Sequence, residues 1–151
     1  MGTPSQRLAE LGLELPAVAA PLAAYTPAIT VGNQVWTSGQ LPLKDGSLTA
    51  TGRLGDTVQL ADGVAAARQC ALNALAAAAE QAGGLDNIAR ILKVVAFVAS
   101  APGFTAQPQV ANGASELLGE IFGTPHVRSA VGAAVLPVDA PVEVELVAEL
   151  A

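Results

Sequence analysis

Arg128 and the carboxylates of the last predicted strand are the side chains whose types and positions best support chemistry. Arg128 opens an apolar stretch and is the only Lys or Arg after His126. A guanidinium entering an apolar strand needs a partner, because an unpaired buried charge is very costly. That partner is either Glu143 or Glu145 in a structural ion pair, or the carboxylate of a ligand held by two parallel hydrogen bonds. The residues alone leave both interpretations open.

The other reactive side chains form no catalytic or metal-binding pattern. His126 is the only histidine and Cys70 the only cysteine, so we expect no metal, no cofactor and no intrachain disulfide. His126 lies in a Gly/Pro loop, where a packing role is expected, and Cys70 lies among alanines as an inert buried thiol. The spacing of Gly32, Gly39 and Gly52 matches neither a phosphate loop nor a dinucleotide fingerprint.

Composition indicates one ordered, acidic domain. The chain has 151 residues, of which 52% are hydrophobic and 13% charged, against about 25% charged in an average globular protein. This balance excludes intrinsic disorder and suggests that another copy of the chain covers part of the surface. A net charge of −6, no cluster of Lys or Arg and 3% aromatic residues argue against a nucleic-acid partner.

The sequence also argues against a membrane partner. The longest uncharged stretch, Leu15 to Leu43, contains four prolines and several polar residues, which a membrane span would not tolerate. Met1–Glu10 lacks the basic and apolar regions of a signal peptide. We therefore expect a soluble cytoplasmic protein.

The pattern of apolar residues predicts two helices packed on a mainly antiparallel sheet. Gly32-Asn33 is a two-residue hairpin turn, and the Gly83-Gly84 pair should end a long helix that Asp56 or Asp62 caps. An extended arm should precede the hairpin. The predicted elements are a short helix Ser5–Leu15, hairpin strands 28–31 and 34–38, a long helix ending at Ala82, a strand 91–100, a helix 110–122, and strands 129–136 and 142–150. This order of elements predicts an α+β fold, in which the sheet face away from the helices must be covered by another surface.

Three motifs in this order resemble the Rid family, also called the YjgF family, of reactive-intermediate deaminases. The stretch Trp36 to Pro42 (WTSGQLP) follows the hairpin turn, Arg128-Ser129 opens a strand, and Leu136-Pro137 precedes Val142-Glu143-Val144-Glu145. The resemblance covers about Tyr25 to Leu150. It implies a chorismate-mutase-like α+β fold assembled as a homotrimer with clefts between subunits. We accordingly divide the chain into an N-terminal helix and arm, 1–24, and a Rid-like domain, 25–151.

The resemblance also implies roles for individual residues. Arg128 matches the arginine that binds the substrate carboxylate, and Glu143 matches the glutamate that positions the attacking water. Ala130 stands where many members carry a cysteine that contributes its backbone carbonyl. The residues expected to line the same cleft are Tyr25, Ser38, Asn112 and Ala130.

The function implied is hydrolysis of small enamines or imines, such as 2-aminoacrylate, to a keto acid and ammonia. A non-catalytic trimer that binds small carboxylates is the alternative, and it would need Arg128 but not Glu143. Chorismate-mutase-like chemistry would require further arginines in the cleft, for which no motif exists. Endoribonuclease or translation-inhibitor activity, also described in the family, is disfavoured by the acidic charge.

Overall fold

A five-stranded sheet with helices on one face forms the centre of the molecule. The computed structural model describes residues 2–21 and 23–151. The helices are α1 (Pro4–Glu10), α2 (Leu60–Ala82) and α3 (Gln107–Phe122). The strands are β1 (Ala28–Val31), β2 (Gln34–Thr37), β3 (Leu43–Lys44), β4 (Ser47–Leu48), β5 (Ile88–Ala99), β6 (Val127–Ala133) and β7 (Val142–Leu150). The main sheet has the order β1-β2-β7-β5-β6, and β3 and β4 pair separately. Among the described residues, no helix is at once long and apolar enough to cross a membrane.

Most of the predicted elements are confirmed. The hairpin turns at Gly32-Asn33, and Gly83 ends α2 in the left-handed conformation with φ 80°. All main-sheet pairings are antiparallel except that β6 runs parallel to β5 at the sheet edge. The predicted α+β architecture, with two helices on one sheet face, is therefore correct.

Several details of the prediction are wrong. The first helix ends at Glu10 rather than Leu15, and β6 spans 127–133 rather than 129–136. Strand β5 spans 88–99 rather than 91–100, and α3 begins at Gln107 rather than at residue 110. The N-cap of α2 is Gln59, which makes no side-chain capping bond, so neither Asp56 nor Asp62 caps it. The chain path before α2 is fixed instead by backbone hydrogen bonds between Leu54 and residues 99 and 101.

Helices α2 and α3 approach each other closely because their facing residues are small. Much of the buried side of α2 is alanine, and Gly113 of α3 lies against the backbone of Val64. A methyl group on Gly113 would overlap the Val64 carbonyl oxygen. This contact fixes the position of α3 over the sheet.

We expect Gly113→Ala to lower the free energy of unfolding by about 1–3 kcal/mol, since the two helices must separate to admit the methyl group. A methyl group on Gly119, on the same helix, would meet no atom within 4 Å. Gly119→Ala should therefore stabilise the protein by roughly 0.5–1 kcal/mol through helix propensity. Urea unfolding of both variants measures the difference. Equal effects would show that the α2–α3 contact does not limit packing.

The N-terminal segment packs along the helices. Thr3 caps α1, and Asp86 accepts hydrogen bonds from the backbone and hydroxyl of Ser5 at 2.8 and 2.6 Å. Leu8 is buried in the main core, and the leucines at 11, 13 and 15 pack against that core. The arm that follows leads to the hairpin without forming a helix or strand in its described part.

The sheet face away from the helices is partly apolar and exposed. Trp36, Ile29 and Val31 of the hairpin are each about half exposed, at 50%, 53% and 57%. Val127 and Val131 of β6 lie on the same face and are also exposed. An apolar surface of this kind is typical of interaction sites.

Candidate functional site

Arg128 is held beside α3 by neutral groups. Its register partner on β5 is Val94, which is buried under the helices, so Arg128 points to the helix side of the sheet. One guanidinium nitrogen, Nη1, donates to Asn112 Oδ1 at 2.8 Å and to Ser115 Oγ at 3.2 Å. The side chain is half-buried. These bonds orient the guanidinium and leave its charge without a carboxylate among the described residues, where the salt bridges are Arg53–Asp56 and Arg90–Glu149.

His126 completes this cluster. Its Nε2 lies 2.9 Å from Ser115 Oγ, the same oxygen that accepts from Arg128. A serine hydroxyl has one proton and two lone pairs, so Ser115 accepts from Arg128 and also bonds Nε2, with the direction of that second bond set by the imidazole tautomer. Burial, and then the charge of Arg128, lowers the pKa of His126 below its usual value. The loop histidine expected to pack is therefore part of a hydrogen-bond network around the arginine.

Acidification should destabilise the protein through His126. Its folded pKa lies below that of the unfolded chain, so the unfolded state binds more protons as pH falls through about 6.5. The free energy of unfolding should therefore decrease from pH 7.5 to 5.5, and less so in His126→Gln, which cannot titrate. Urea unfolding at both pH values compares the two proteins. An identical pH dependence in both would contradict the assignment of a neutral His126.

Glu143 lies on the other face of the sheet, beside a glycine. Its register partner on β5 is Phe97, and Gly39 packs directly against the Glu143 carboxylate, leaving no room for a Cβ at position 39. Paired backbone hydrogen bonds between Gln40 and Val144, 2.8 and 3.0 Å long, hold this glycine in place. Burial, and then the charge of Glu145, raises the pKa of Glu143. A half-buried carboxylate with a raised pKa is suited to proton transfer.

A cavity of about 250 Å³ opens next to Glu143. Tyr25 and Gly39 line it, together with residues of the N-terminal arm. Tyr25 is 45% exposed. The structure thus brings together Tyr25 and Glu143, two of the residues expected in one cleft.

The remaining expected residues lie near either the Arg128 cluster or the cavity beside Glu143. Ser38 follows β2, and its hydroxyl donates to the Thr26 carbonyl at 2.6 Å, which anchors the segment that carries Tyr25. Asn112 contacts Arg128 directly. Ala130 is two residues beyond Arg128 on β6, on the same face, and packs against the main core.

Arg128 and Glu143 are therefore separated within one chain. They lie on opposite faces of the sheet, and β5 separates β6 from β7. Of the two interpretations that the residues left open, the structural ion pair between Arg128 and Glu143 or Glu145 is wrong, because β7 is not adjacent to β6 and both glutamates lie on the opposite face of the sheet from Arg128. The arginine remains available for an external carboxylate.

Two functional neighbours were not identified from the sequence. Ser115 lies three residues after Asn112 on α3, a spacing that places both on one helix face, and this spacing was the available signal. Gly39 is part of the WTSGQLP stretch, but its close approach to Glu143 depends on the pairing of Gln40 with Val144, which is a long-range contact.

Comparison with known proteins identifies the family of this chain. A family model described as "YjgF/chorismate mutase-like, putative endoribonuclease" matches residues 5–150. The chain belongs to this family. The match includes α1 and the arm as well as the sheet and its helices, so the YjgF family assignment covers both groups of site residues.

Three relatives in the YjgF family illustrate the range of similarity. Protein TCP17 of Trypanosoma cruzi is 43% identical, over 99% of this chain and 95% of that protein. Protein Atu1372 of Agrobacterium tumefaciens, of unknown function, has a structure 42% identical with a TM-score of 0.89, covering 98% of this chain and 92% of its own. Escherichia coli TdcF with bound serine is 26% identical with a TM-score of 0.64, covering 88% and 92%.

Proposed function

We propose that this protein hydrolyses small 2-imino acids, or the enamines in equilibrium with them, to a keto acid and ammonia. The observation that carries the proposal is the environment of Arg128, whose guanidinium is fixed by Asn112 and Ser115 and lacks an acidic partner among the described residues. Such a fixed cation is suited to bind a substrate carboxylate through charge-assisted hydrogen bonds. The serine bound to Escherichia coli TdcF is a small carboxylate of comparable size.

Glu143 supplies the acid–base step of the proposed reaction. Its carboxylate takes a proton from water as the water oxygen bonds to the C=N carbon, and it returns that proton to the nitrogen as the C=N double bond becomes single. In the second step Glu143 transfers the hydroxyl proton of the carbinolamine to the nitrogen, so that the C–N bond breaks, ammonia leaves and the C=O bond forms. The imine carbon is already electrophilic, so orientation and one acid–base group suffice for the reaction.

Because Arg128 and Glu143 lie on opposite faces of one sheet, both reach one substrate only if they come from different copies of the chain. We propose a homotrimer with three such clefts, in which the exposed apolar sheet face around Trp36 is covered by a neighbouring subunit. The endoribonuclease in the description of the family is not the activity we propose. A net charge of −6 disfavours contact with an RNA backbone.

The proposal is tested with an imine generated in solution by an amino-acid oxidase. The wild-type protein should accelerate loss of the imine, and Arg128→Ala should lower kcat/KM by about 30- to 1,000-fold, equivalent to roughly 2–4 kcal/mol for a charge-assisted contact. Arg53→Ala is the matched control, because Arg53 pairs with Asp56 on the surface. No acceleration with imines from several amino acids would contradict the proposal and leave the carboxylate-binding alternative.

A further inference from the structure

The cavity beside Glu143 has one wall that belongs to the N-terminal arm. The arm contributes the small apolar residues Ala19, Ala20, Pro21 and Ala23, and the segment after the hairpin contributes Leu41 and Leu43. The arm therefore decides how much space is left above the carboxylate.

The leucine side of the cavity is fixed by α2. Asn73 is buried, and its amide nitrogen donates to the carbonyls of Leu41 and Leu43 at 2.9 Å each. Gln69 also donates to the Leu43 carbonyl, at 3.2 Å. The leucine side is thus attached to a helix of the core, so the dimensions of the cavity depend on the arm.

The lining is unsuited to a charged substituent. Glu143 is the only charged side chain among the described residues that line the cavity. A second carboxylate placed there would be repelled by Glu143 and would lose hydration without gaining a cationic partner among the described lining residues. An aliphatic group would instead bury apolar surface against the alanines and leucines. The volume of about 250 Å³ lies just below the range of typical ligand pockets, which suits a small side chain.

We infer that the N-terminal arm makes the site selective for 2-imino and 2-oxo acids with apolar side chains, and that it excludes dicarboxylates. The inference rests on the proposed function, because it takes the Glu143 cavity as the site of the substrate side chain. It adds the arm, and in particular Ala20 and Ala23, as the specificity-determining element.

Binding of product-like keto acids tests the inference without requiring turnover. Calorimetry should show that the wild-type protein binds 4-methyl-2-oxopentanoate at least about tenfold more tightly than 2-oxoglutarate. Ala20→Phe and Ala23→Phe should fill the cavity and lower the affinity for 4-methyl-2-oxopentanoate about tenfold or more. The affinity for pyruvate should change less than about twofold in the same variants. The matched control is Ala24→Phe, an exposed arm residue outside the cavity lining, which should change neither affinity.

The outcomes separate this inference from the proposed function. Equal affinity of the wild-type protein for 4-methyl-2-oxopentanoate and 2-oxoglutarate would overturn the inference, as would an unchanged affinity ratio in both phenylalanine variants. Imine turnover without such selectivity would sustain the proposed reaction and reject the role of the arm. Selective keto-acid binding without turnover of any imine would sustain the role of the arm and reject the reaction.

Discussion

An equal mixture of the Arg128→Ala and Glu143→Gln variants, each strongly impaired alone, is expected to recover about one quarter of the wild-type rate of imine hydrolysis. The reason is geometric, since Arg128 lies on the helix side of the sheet and Glu143 on the opposite side. In the homotrimer that we propose, one chain therefore contributes the carboxylate-binding half of one cleft and the proton-transferring half of another. In a randomly mixed ring, one cleft in four combines an intact Arg128 with an intact Glu143.

The mixing experiment requires that subunits exchange, so the two variants are co-expressed with different tags or refolded together. The control combines Arg128→Ala with the double variant Arg128→Ala/Glu143→Gln, which should stay inactive because no subunit supplies the arginine. Mixed oligomers that form but show no activity would contradict a shared cleft. Refolded wild-type protein must regain its activity for the comparison to hold.

Glu143→Gln is expected to lower kcat by about 10²- to 10⁴-fold while leaving the affinity for a small keto acid within about threefold. Glutamine keeps the size and part of the polarity of the side chain but cannot take a proton from water. Stopped-flow turnover and calorimetry on the same preparation separate the two effects. Unchanged kcat would contradict the role of Glu143 and favour a binding protein.

The pH profile gives an independent test of the same carboxylate. Wild-type activity should fall on acidification through the pKa of Glu143, which burial and the neighbouring Glu145 raise above its usual value. Removing the charge in Glu145→Gln should lower that pKa and move the acidic limb of the profile to lower pH. An acidic limb that moves to higher pH, or that does not move, would show that another group controls the reaction.

The local elements were predictable because their signals are local. Gly32-Asn33 forms its turn, and the helix ends at Ala82 because Gly83 adopts a left-handed conformation that other residues resist. The alternation from Val142 to Leu150 gives β7 its correct bounds and places Glu143 and Glu145 on one face. These features depend on a few neighbouring residues.

Strand order was not predictable in the same way. The apolar run in β5 has no alternation to show which face each residue occupies, and nothing in it indicates that β6 and β7 pair on its opposite edges. This order decides that Arg128 lies beside Val94 and away from Glu143. The resemblance identified both residues, but the sequence pattern could not show that one chain keeps them apart.

The predicted cap of α2 was wrong for a related reason. An aspartate near a predicted helix start is a good local capping signal, but Asp56 lies in a segment that is held by the backbone hydrogen bonds of Leu54. The Leu54 amide donates to the Ala99 carbonyl at 2.8 Å, which ties this segment to the end of β5. A tertiary contact therefore set the helix start and overrode the local preference.

The close contact at Gly113 also has a consequence for the precision of recognition. Gly113 follows Asn112 and comes two residues before Ser115, the two side chains that aim the Arg128 guanidinium. The orientation of Arg128, which we propose binds the substrate carboxylate, therefore depends on the close spacing of α2 and α3 that the alanines and Gly113 allow. A larger side chain between α2 and α3 would displace α3 and misalign the Arg128 guanidinium, although that side chain would itself contact no ligand. Residues between α2 and α3 that contact no substrate would therefore determine how precisely Arg128 is oriented.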